Sequence, residues 1–154
     1  MIIRKGEERD FPQILALIQE LADFEKAPQE VVNSVEQMQK DKEHFEFFVA
    51  EQGDEIVGMA LYFIAYFTWK GKSLYLDDLY VKKEHRGSGI GSKLLRKIFE
   101  VAKSENVNRL RWQVLDWNTP AIDLYDKIGA TLDKEWINCD FDKEGISNFL
   151  QKNN

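Results

Sequence analysis

The chain has 154 residues, of which 44% are hydrophobic and 31% are charged. This composition is typical of a folded domain and argues against a disordered segment. A net charge of −6 and a pI of about 5.0 argue against the basic surface that broad nucleic-acid binding needs. No apolar run approaches a membrane span, and the N-terminus turns charged at once. The single cysteine, Cys139, cannot form an internal disulfide, so we expect a cytoplasmic protein. The length predicts one domain over 1–154, and the charge and hydropathy predict no nucleic-acid or membrane partner.

Residues 1–44 predict one short strand and two helices. The strand covers 2–3. Asp10 is expected to cap the first helix, with Gln13 at the reciprocal capping-box position. Apolar residues then follow at helical spacing: Phe11, Ile14, Leu17, Ile18 and Leu21. A shorter helix, capped by Ser34, is expected to run toward Lys42.

From residue 45 onward, strands and helices alternate. The predicted strands cover 45–51, 56–69, 74–81, 110–115 and 136–141, with Cys139 packed in the last. One helix has the apolar face Leu94, Leu95, Ile98, Phe99, Val101 and Ala102. Another has the face Ala121, Ile122, Leu124, Tyr125 and Ile128 and ends at Gly129. This order predicts an antiparallel-to-mixed sheet with helices packed on it, an α/β (α+β) sandwich.

The stretch 85–95, HRGSGIGSKLL, places three glycines directly before an apolar helix. Such a turn directs several backbone N–H groups at one point, where the helix dipole adds positive potential, and it therefore binds anions. The surroundings are basic, with six Lys or Arg and one acid over 82–97. The spacing is neither the dinucleotide fingerprint nor the P-loop order. A plain strand-to-helix turn is the alternative, although one glycine would suffice for it.

The run Arg86-Gly87-Ser88-Gly89-Ile90-Gly91 resembles the acetyl-CoA loop of the GNAT N-acetyltransferases. The resemblance covers nearly the whole chain, and it is closest to the diamine (spermidine/spermine) and thialysine acetyltransferase branch. It is also carried by three further stretches: ELADFE at 20–25, WKGK at 69–72 with LYLDDLYV at 74–81, and VLDWN at 114–118 with Leu124-Tyr125. The resemblance implies the GNAT fold, a splayed mixed sheet flanked by helices. It also implies acetyl-CoA (CoA) in the gap of that sheet, and a homodimer.

The resemblance also implies which residues bind the cofactor. The CoA pyrophosphate would lie on Arg86, Gly87, Ser88, Gly89, Ile90, Gly91 and Ser92. Backbone groups of Leu79, Tyr80 and Val81 would hold the pantetheine arm and polarise the thioester. Asn118 would reach the pantetheine side. Its alternative role is a helix N-cap before Thr119.

Catalytic and acceptor-binding residues follow from the same resemblance. Tyr125 matches the general acid that protonates the departing thiolate, and the alternative is a tyrosine buried by its ring on an amphipathic helix. Asp77 occupies the position of a glutamate that acts as a base through water, so a water would have to bridge one missing methylene. Asp78 and Glu25 match carboxylates that hold a substrate ammonium. Trp69 matches an aromatic wall of the acceptor channel.

The strand around the two aspartates is otherwise apolar. Because neighbouring strand residues face opposite sides, we expect at least one of Asp77 and Asp78 to line a cleft. Phe67 occupies a position where the spermidine/spermine enzymes carry an aspartate, which argues against spermine as the best substrate.

These features predict an acetyl-CoA-dependent N-acetyltransferase that acetylates a primary amine of a small molecule, a lysine analogue or short diamine. Transfer is expected to be direct, since Cys139 is not an apparent nucleophile. His44 and His85 lack a metal-ligand pattern, so no metal is expected. Two alternatives stay open: a lysine or N-terminal amine of a protein or peptide as acceptor, and a non-catalytic acetyl-CoA-binding module.

Overall fold

The structure, a computed structural model, describes residues 1–152. The chain forms two compact units, Met1–Leu115 and Asp116–Asn154. The first unit contains one five-stranded sheet in chain order. Its strands are β1 (Ile2–Lys5), β2 (Glu46–Gln52), β3 (Glu55–Phe67), β4 (Gly71–Val81) and β5 (Arg109–Arg111). Strands β1 to β4 pair antiparallel, and β5 pairs parallel to β4. The predicted α/β class with a mixed sheet is confirmed.

Three helices cover the two faces of this sheet. Helices α1 (Phe11–Phe24) and α2 (Val35–Lys40) pack on one face, and α3 (Ile90–Ser104) packs on the other. The α3 side chains buried against the sheet are Ile90, Leu94, Leu95, Ile98 and Ala102. Each large apolar side chain buried in this way contributes about 1.5 to 3 kcal/mol. The C-terminal half of β4 is thereby fixed in the middle of three layers.

The predicted capping role of Asp10 is wrong. Asp10 is only 4% exposed, and its carboxylate pairs with the Arg4 guanidinium at 2.8 Å instead of capping α1. Gln13 accepts a hydrogen bond from the Ile56 backbone N–H at 2.8 Å, so it ties α1 to the β2–β3 turn. A buried carboxylate gains more from a charged hydrogen bond than from a neutral N–H, which explains the difference.

Other element ends follow the sequence more closely. Ser34 caps α2 as predicted, since its Oγ accepts the Gln37 N–H at 3.1 Å. Strand β3 ends at Phe67, so Trp69 lies in the β3–β4 turn instead of the strand. Strand β5 stops at Arg111, four residues short of the predicted end, because β4 and β5 pair over only three residues.

The second unit contains α4 (Thr119–Lys127) and α5 (Lys143–Lys152). The predicted strand at 136–141 is wrong, and Cys139 is exposed instead of packed. β-Branched and aromatic residues become a strand only when a partner strand pairs with them. Helix α5 was not predicted. Asp142 starts it, because its carboxylate accepts the Gly145 N–H at 2.7 Å.

Within residues 1–152, no helix is both long enough and apolar enough to cross a bilayer.

Candidate active site

A β-bulge interrupts β4 at Asp77. Leu76 lies opposite Tyr62 on β3, and Asp78 lies opposite Leu61, so Asp77 is an extra residue without a partner. A bulge of this kind reverses the alternation of side chains beyond it.

The bulge places both aspartates on the same face of the sheet. Side chains on the α3 face of β4 are even-numbered before the bulge and odd-numbered after it: Leu74, Leu76, Leu79 and Val81. Asp78 therefore shares the α1 face with Tyr80, whose ring belongs to the α1-side core, and Asp77 shares that face with Tyr75. The expectation that neighbouring aspartates face opposite sides is wrong here, because it assumed a regular strand.

Glu25 joins the two aspartates from the end of α1. Burial raises the pKa of Asp77, and burial together with the Asp77 charge raises the pKa of Glu25. Burial, then Asp77 and Glu25, raise the pKa of Asp78 to about 7. Glu25 and Asp77 keep exposed surface, so water screens part of their charge, whereas Asp78 is half-buried. These three residues form the carboxylate cluster.

The carboxylate cluster has no positive partner in the part of the chain that the structure describes. Neither an ion pair nor a hydrogen bond joins Glu25, Asp77 or Asp78 to a side chain within residues 1–152. Uncompensated negative charge that is partly removed from water favours the binding of a cation. The cluster can therefore hold an ammonium group or accept its proton.

The glycine loop, residues 86–92, joins β4 to α3. Gly87 and Gly89 have φ angles of +77° and +79°, which side-chain-bearing residues rarely adopt. A Cβ at either position would meet nothing within 4 Å, so the backbone is open to a ligand. Gly89 is the N-cap of α3 and provides no side-chain cap, which leaves the first N–H groups of the helix for an anion. The loop thus fits a phosphate group.

Arg86 fastens the glycine loop to the first unit's core. Its Nε donates to the Val81 carbonyl at 2.9 Å, and its guanidinium lies over the rings of Phe24 and Tyr80, at 5.2 and 5.4 Å from their centroids. The Tyr80 hydroxyl in turn donates to Glu20 at 3.1 Å. These contacts of the Arg86 side chain position the loop. No role was predicted for Glu20 from the sequence.

The edge of β4 opens toward β5 beyond the three paired residues. Pairing with β5 covers only Ser73, Leu74 and Tyr75, so residues 76–81 have no strand partner on that side within the first unit. Backbone groups along such an edge need other hydrogen-bond partners. Leu79, Tyr80 and Val81 lie on this splayed edge, where an extended ligand can add itself to the strand.

In the second unit, α4 carries two of the predicted residues. Asn118 occupies the N-cap position, but its side chain makes no capping hydrogen bond, so the amide is not used as a cap. Tyr125 is half-buried, and burial raises the pKa of its hydroxyl. Gly129 ends the helix region as predicted, with φ of +92°. The Ala130 N–H then donates to the Tyr125 carbonyl at 3.0 Å, as in a Schellman motif.

Comparison with known proteins identifies the family. A model of the acetyltransferase (GNAT) family matches residues 11–130. The chain belongs to the GNAT acetyltransferase family. This acetyltransferase is 44% identical over 142 residues to the thialysine N-epsilon-acetyltransferase of Bos taurus, with 84% of each chain covered. It is 39% identical over 145 residues to the protein of that name from Caenorhabditis elegans, with 91% of each covered.

Solved structures agree on the fold of this acetyltransferase. An integron cassette protein from the mobile metagenome of V. cholerae superposes with a TM-score of 0.76 at 23% identity, covering 97% of both chains. The predicted GNAT fold and N-acetyltransferase activity are confirmed by the family match. Family membership implies acetyl-CoA as the acetyl donor.

Further residues of interest lie near the β3–β4 turn and on β5. Trp69 is 81% exposed in the β3–β4 turn. Phe67 packs against Arg109 and Arg111 of β5. No role was predicted for this arginine pair, although an Arg-x-Arg alternation in a strand of an acidic chain was a usable signal. Their spacing of two places both side chains on one face of the sheet.

Proposed function

We propose that this N-acetyltransferase acetylates the primary amine of a small molecule that carries a second charged group, of the lysine-analogue or short-diamine type. The carboxylate cluster of Glu25, Asp77 and Asp78 is the observation that carries this proposal. Three carboxylates on one face without a positive partner among the described residues suit an acceptor with an ammonium group. Relatives named for thialysine acetylation at 38–44% identity support it.

On the donor side, the backbone of the glycine loop would bind the pyrophosphate of acetyl-CoA. The open backbone edge at Leu79, Tyr80 and Val81 would hold the pantetheine arm by strand-like hydrogen bonds. Asn118, whose amide does not cap α4, is free of that task and would hold the same arm. Bound acetyl-CoA supplies an activated acetyl group as a thioester.

Two proton transfers remain for the chain's own residues. The incoming ammonium must lose a proton before its nitrogen can attack the thioester. A general base with a pKa near the working pH is best suited to take that proton. Asp78, with its pKa raised to about 7, meets that condition, and Asp77 would act beside it through water. The Tyr125 hydroxyl, kept protonated by its raised pKa, would donate a proton to the departing sulfur.

The acceptor would be held by charge and by shape. Glu25 at the end of α1 would bind the ammonium that does not react. Trp69 in the β3–β4 turn would cover the methylene chain with its ring. Since transfer would be direct, ternary-complex kinetics are expected, in which both substrates bind before either product leaves.

An acceptor panel tests the proposal. Acetyl-CoA turnover is measured with L-thialysine, L-lysine, short diamines, spermine and lysine-containing peptides, with product identified by mass spectrometry. We expect the small amino acids and diamines to give the highest kcat/KM. Higher kcat/KM with peptides would favour the protein-acceptor alternative, and absence of turnover with bound acetyl-CoA would favour the non-catalytic alternative.

We also propose that the chain forms one cytoplasmic domain and a homodimer. The family match at 11–130 extends over both compact units. Within the second unit, no described hydrophobic residue is buried, and large side chains are exposed, among them Ile137 at 88% and Phe141 at 68%. Exposed apolar surface of this extent favours an interface with a second copy.

Light scattering coupled to size-exclusion chromatography tests the dimer. The wild type should elute at twice the 18.0 kDa chain mass. Ile137→Asp should shift it toward the monomer. Val32→Asp, an equally exposed aliphatic position at 94% in the first unit, should not. A monomeric wild type would contradict the dimer.

A further inference from the structure

The face of the sheet that carries the carboxylate cluster also carries two arginines at its opposite end. Arg109 and Arg111 lie on β5, two residues apart, and both guanidinium groups contact the Phe67 ring. Their carbons lie 4.4 and 5.6 Å from the ring centroid. The aromatic ring holds the two cations side by side and limits their rotation.

Among residues 1–152, these two cations have no negative partner. In the region that the structure describes, no carboxylate forms an ion pair with Arg109 or Arg111, and the buried Nε of Arg109 has no hydrogen-bond acceptor. Burial, then the nearby Arg111 charge, lowers the pKa of Arg109. A partly desolvated Arg109 beside a second positive charge, with an unpaired buried donor, is costly, and an anion bound between the two arginines would reduce the cost.

The register of β5 against β4 places the two arginines on the face of the sheet that carries the carboxylate cluster. Arg111 lies opposite Tyr75 of β4, and Arg109 lies opposite Ser73. Tyr75 lies between the two charged ends: burial and then Asp77 raise the pKa of its hydroxyl, whereas Arg111 lowers it. Asp77 lies two residues beyond Tyr75 along β4, an offset of about 7 Å.

We propose that Arg109 and Arg111 form a carboxylate-binding subsite for the acceptor, which makes this enzyme selective for an α-amino acid with a terminal amine. This inference rests on the proposed function, because it assumes an amine held by the carboxylate cluster. In an extended molecule of lysine length, about six bonds separate the terminal nitrogen from the carboxylate carbon, or about 7 to 8 Å. The backbone offset between Tyr75, which lies opposite Arg111, and Asp77 is about 7 Å and therefore similar.

The subsite also excludes competitors. A diamine of the same length has a methylene hydrogen where the amino acid has its carboxylate, so the arginines stay unpaired. A longer polyamine would bring additional ammonium groups toward them, which adds repulsion between like charges. Selectivity therefore comes from both the attraction of one carboxylate and the rejection of further cations.

The experiment uses a matched pair of acceptors, L-lysine and 1,5-diaminopentane, which differ only in the carboxylate. For the wild type, kcat/KM should be about 10- to 100-fold higher for L-lysine, the range expected for a charged hydrogen bond. Arg111→Gln and Arg109→Gln should each bring this ratio toward one while the KM for acetyl-CoA stays unchanged. Arg9→Gln, which removes an exposed arginine, is the control and should keep the wild-type ratio.

Phe67 offers a second variant that does not remove a buried arginine. Phe67→Asp places a carboxylate beside both guanidinium groups and should abolish the preference for L-lysine. Phe67→Asn, of nearly the same size but without charge, should retain more of it. Equal effects of the two substitutions would mean that packing, and not charge, sets the preference, and would overturn the proposal.

Calorimetric binding of the same two ligands separates this inference from the proposed function. In one outcome neither ligand is acetylated, L-lysine binds more tightly than the diamine, and the arginine substitutions remove this difference in affinity. That outcome supports the subsite and contradicts the proposed activity. If both are acetylated with equal kcat/KM and bind equally, the activity stands and the subsite falls. If neither is acetylated and both bind equally or not at all, both proposals fall.

Discussion

Asp78→Asn is expected to make the protein more stable and less active. The substitution removes a negative charge that burial, Asp77 and Glu25 all disfavour. It keeps the size of the side chain and its position opposite Leu61 on β3. Under the proposed function, the same charge would accept a proton and hold the acceptor amine, so stability and function should change in opposite directions.

The structure sets the size and the pH dependence of the stability change. The pKa of Asp78 rises from 3.8 to about 7, and each pKa unit corresponds to about 1.4 kcal/mol, which gives a ceiling of about 4 kcal/mol. Solvent screening and the remaining cost of a half-buried amide reduce this to about 1 to 3 kcal/mol. Between about pH 4 and pH 7 the folded protein keeps a proton that the unfolded chain has released, so wild-type stability falls as the pH rises.

Thermal unfolding at two pH values measures the effect. At about pH 8 the variant should unfold roughly 3 to 9 °C above the wild type, and near pH 4 the difference should vanish. Asp54→Asn in the exposed β2–β3 turn is the control and should show little change at either pH. In turnover assays, Asp78→Asn should raise the KM for the amine more than the KM for acetyl-CoA.

A lower Tm for Asp78→Asn at about pH 8, or a gain that does not depend on pH, would refute the account of the buried charge. An equal loss of affinity for the amine and for acetyl-CoA would refute the acceptor role of Asp78.

Three further outcomes are expected. Gly89→Val should abolish acetyl-CoA binding in calorimetry. Gly53→Val is the control: Gly53 has a similar positive φ of +64° and equally open space, so this variant should lose comparable stability and keep its affinity for acetyl-CoA. Retained affinity in Gly89→Val would contradict the glycine-loop assignment. Tyr125→Phe should lower kcat by about 100-fold with acetyl-CoA affinity unchanged, while exposed Tyr66→Phe should be neutral; a fully active Tyr125 variant would return that residue to a packing role. Asp10→Asn should lower the free energy of unfolding, measured in urea at about pH 7, by about 3 kcal/mol. The loss should become smaller as the pH falls below about 4, because the Arg4 guanidinium lowers the pKa of the Asp10 carboxyl. A loss that does not depend on pH would contradict the ion-pair account.

The glycine loop and the helix after it could be predicted from local signals, whereas the carboxylates and Tyr125 were assigned through the family resemblance. The glycine loop needs only the order of neighbouring residues, and the apolar face of α3 needs only helical spacing. Leu94, Leu95 and Ile98 are buried as predicted. Phe99, at the edge of that face, is 49% exposed, because the width of a buried stripe depends on what the helix packs against.

The local signals failed where a distant partner decides the outcome. The segment 136–141 has the composition of a strand, yet it pairs with no strand in the structure. Asp10 has the residue type of a cap, yet the Arg4 side chain is close enough to pair with it. In both cases the residue type was compatible with more than one conformation, and tertiary contacts selected one.

By itself, the sequence predicted the α/β class from helix periodicity and strand composition, and it predicted the glycine loop from glycine spacing, because these signals act over a few residues. The family followed from the resemblance of longer motifs along the chain. Only the tertiary structure decided how the charges around the carboxylate cluster are arranged. The bulge at Asp77 depends on the register of β4 against β3, and it places two neighbouring carboxylates on one face. The contact of Phe67 with Arg109 and Arg111 depends on three strands that meet across more than forty residues of chain. Registers of this kind are set by the packing of the whole sheet, which no short stretch of sequence encodes.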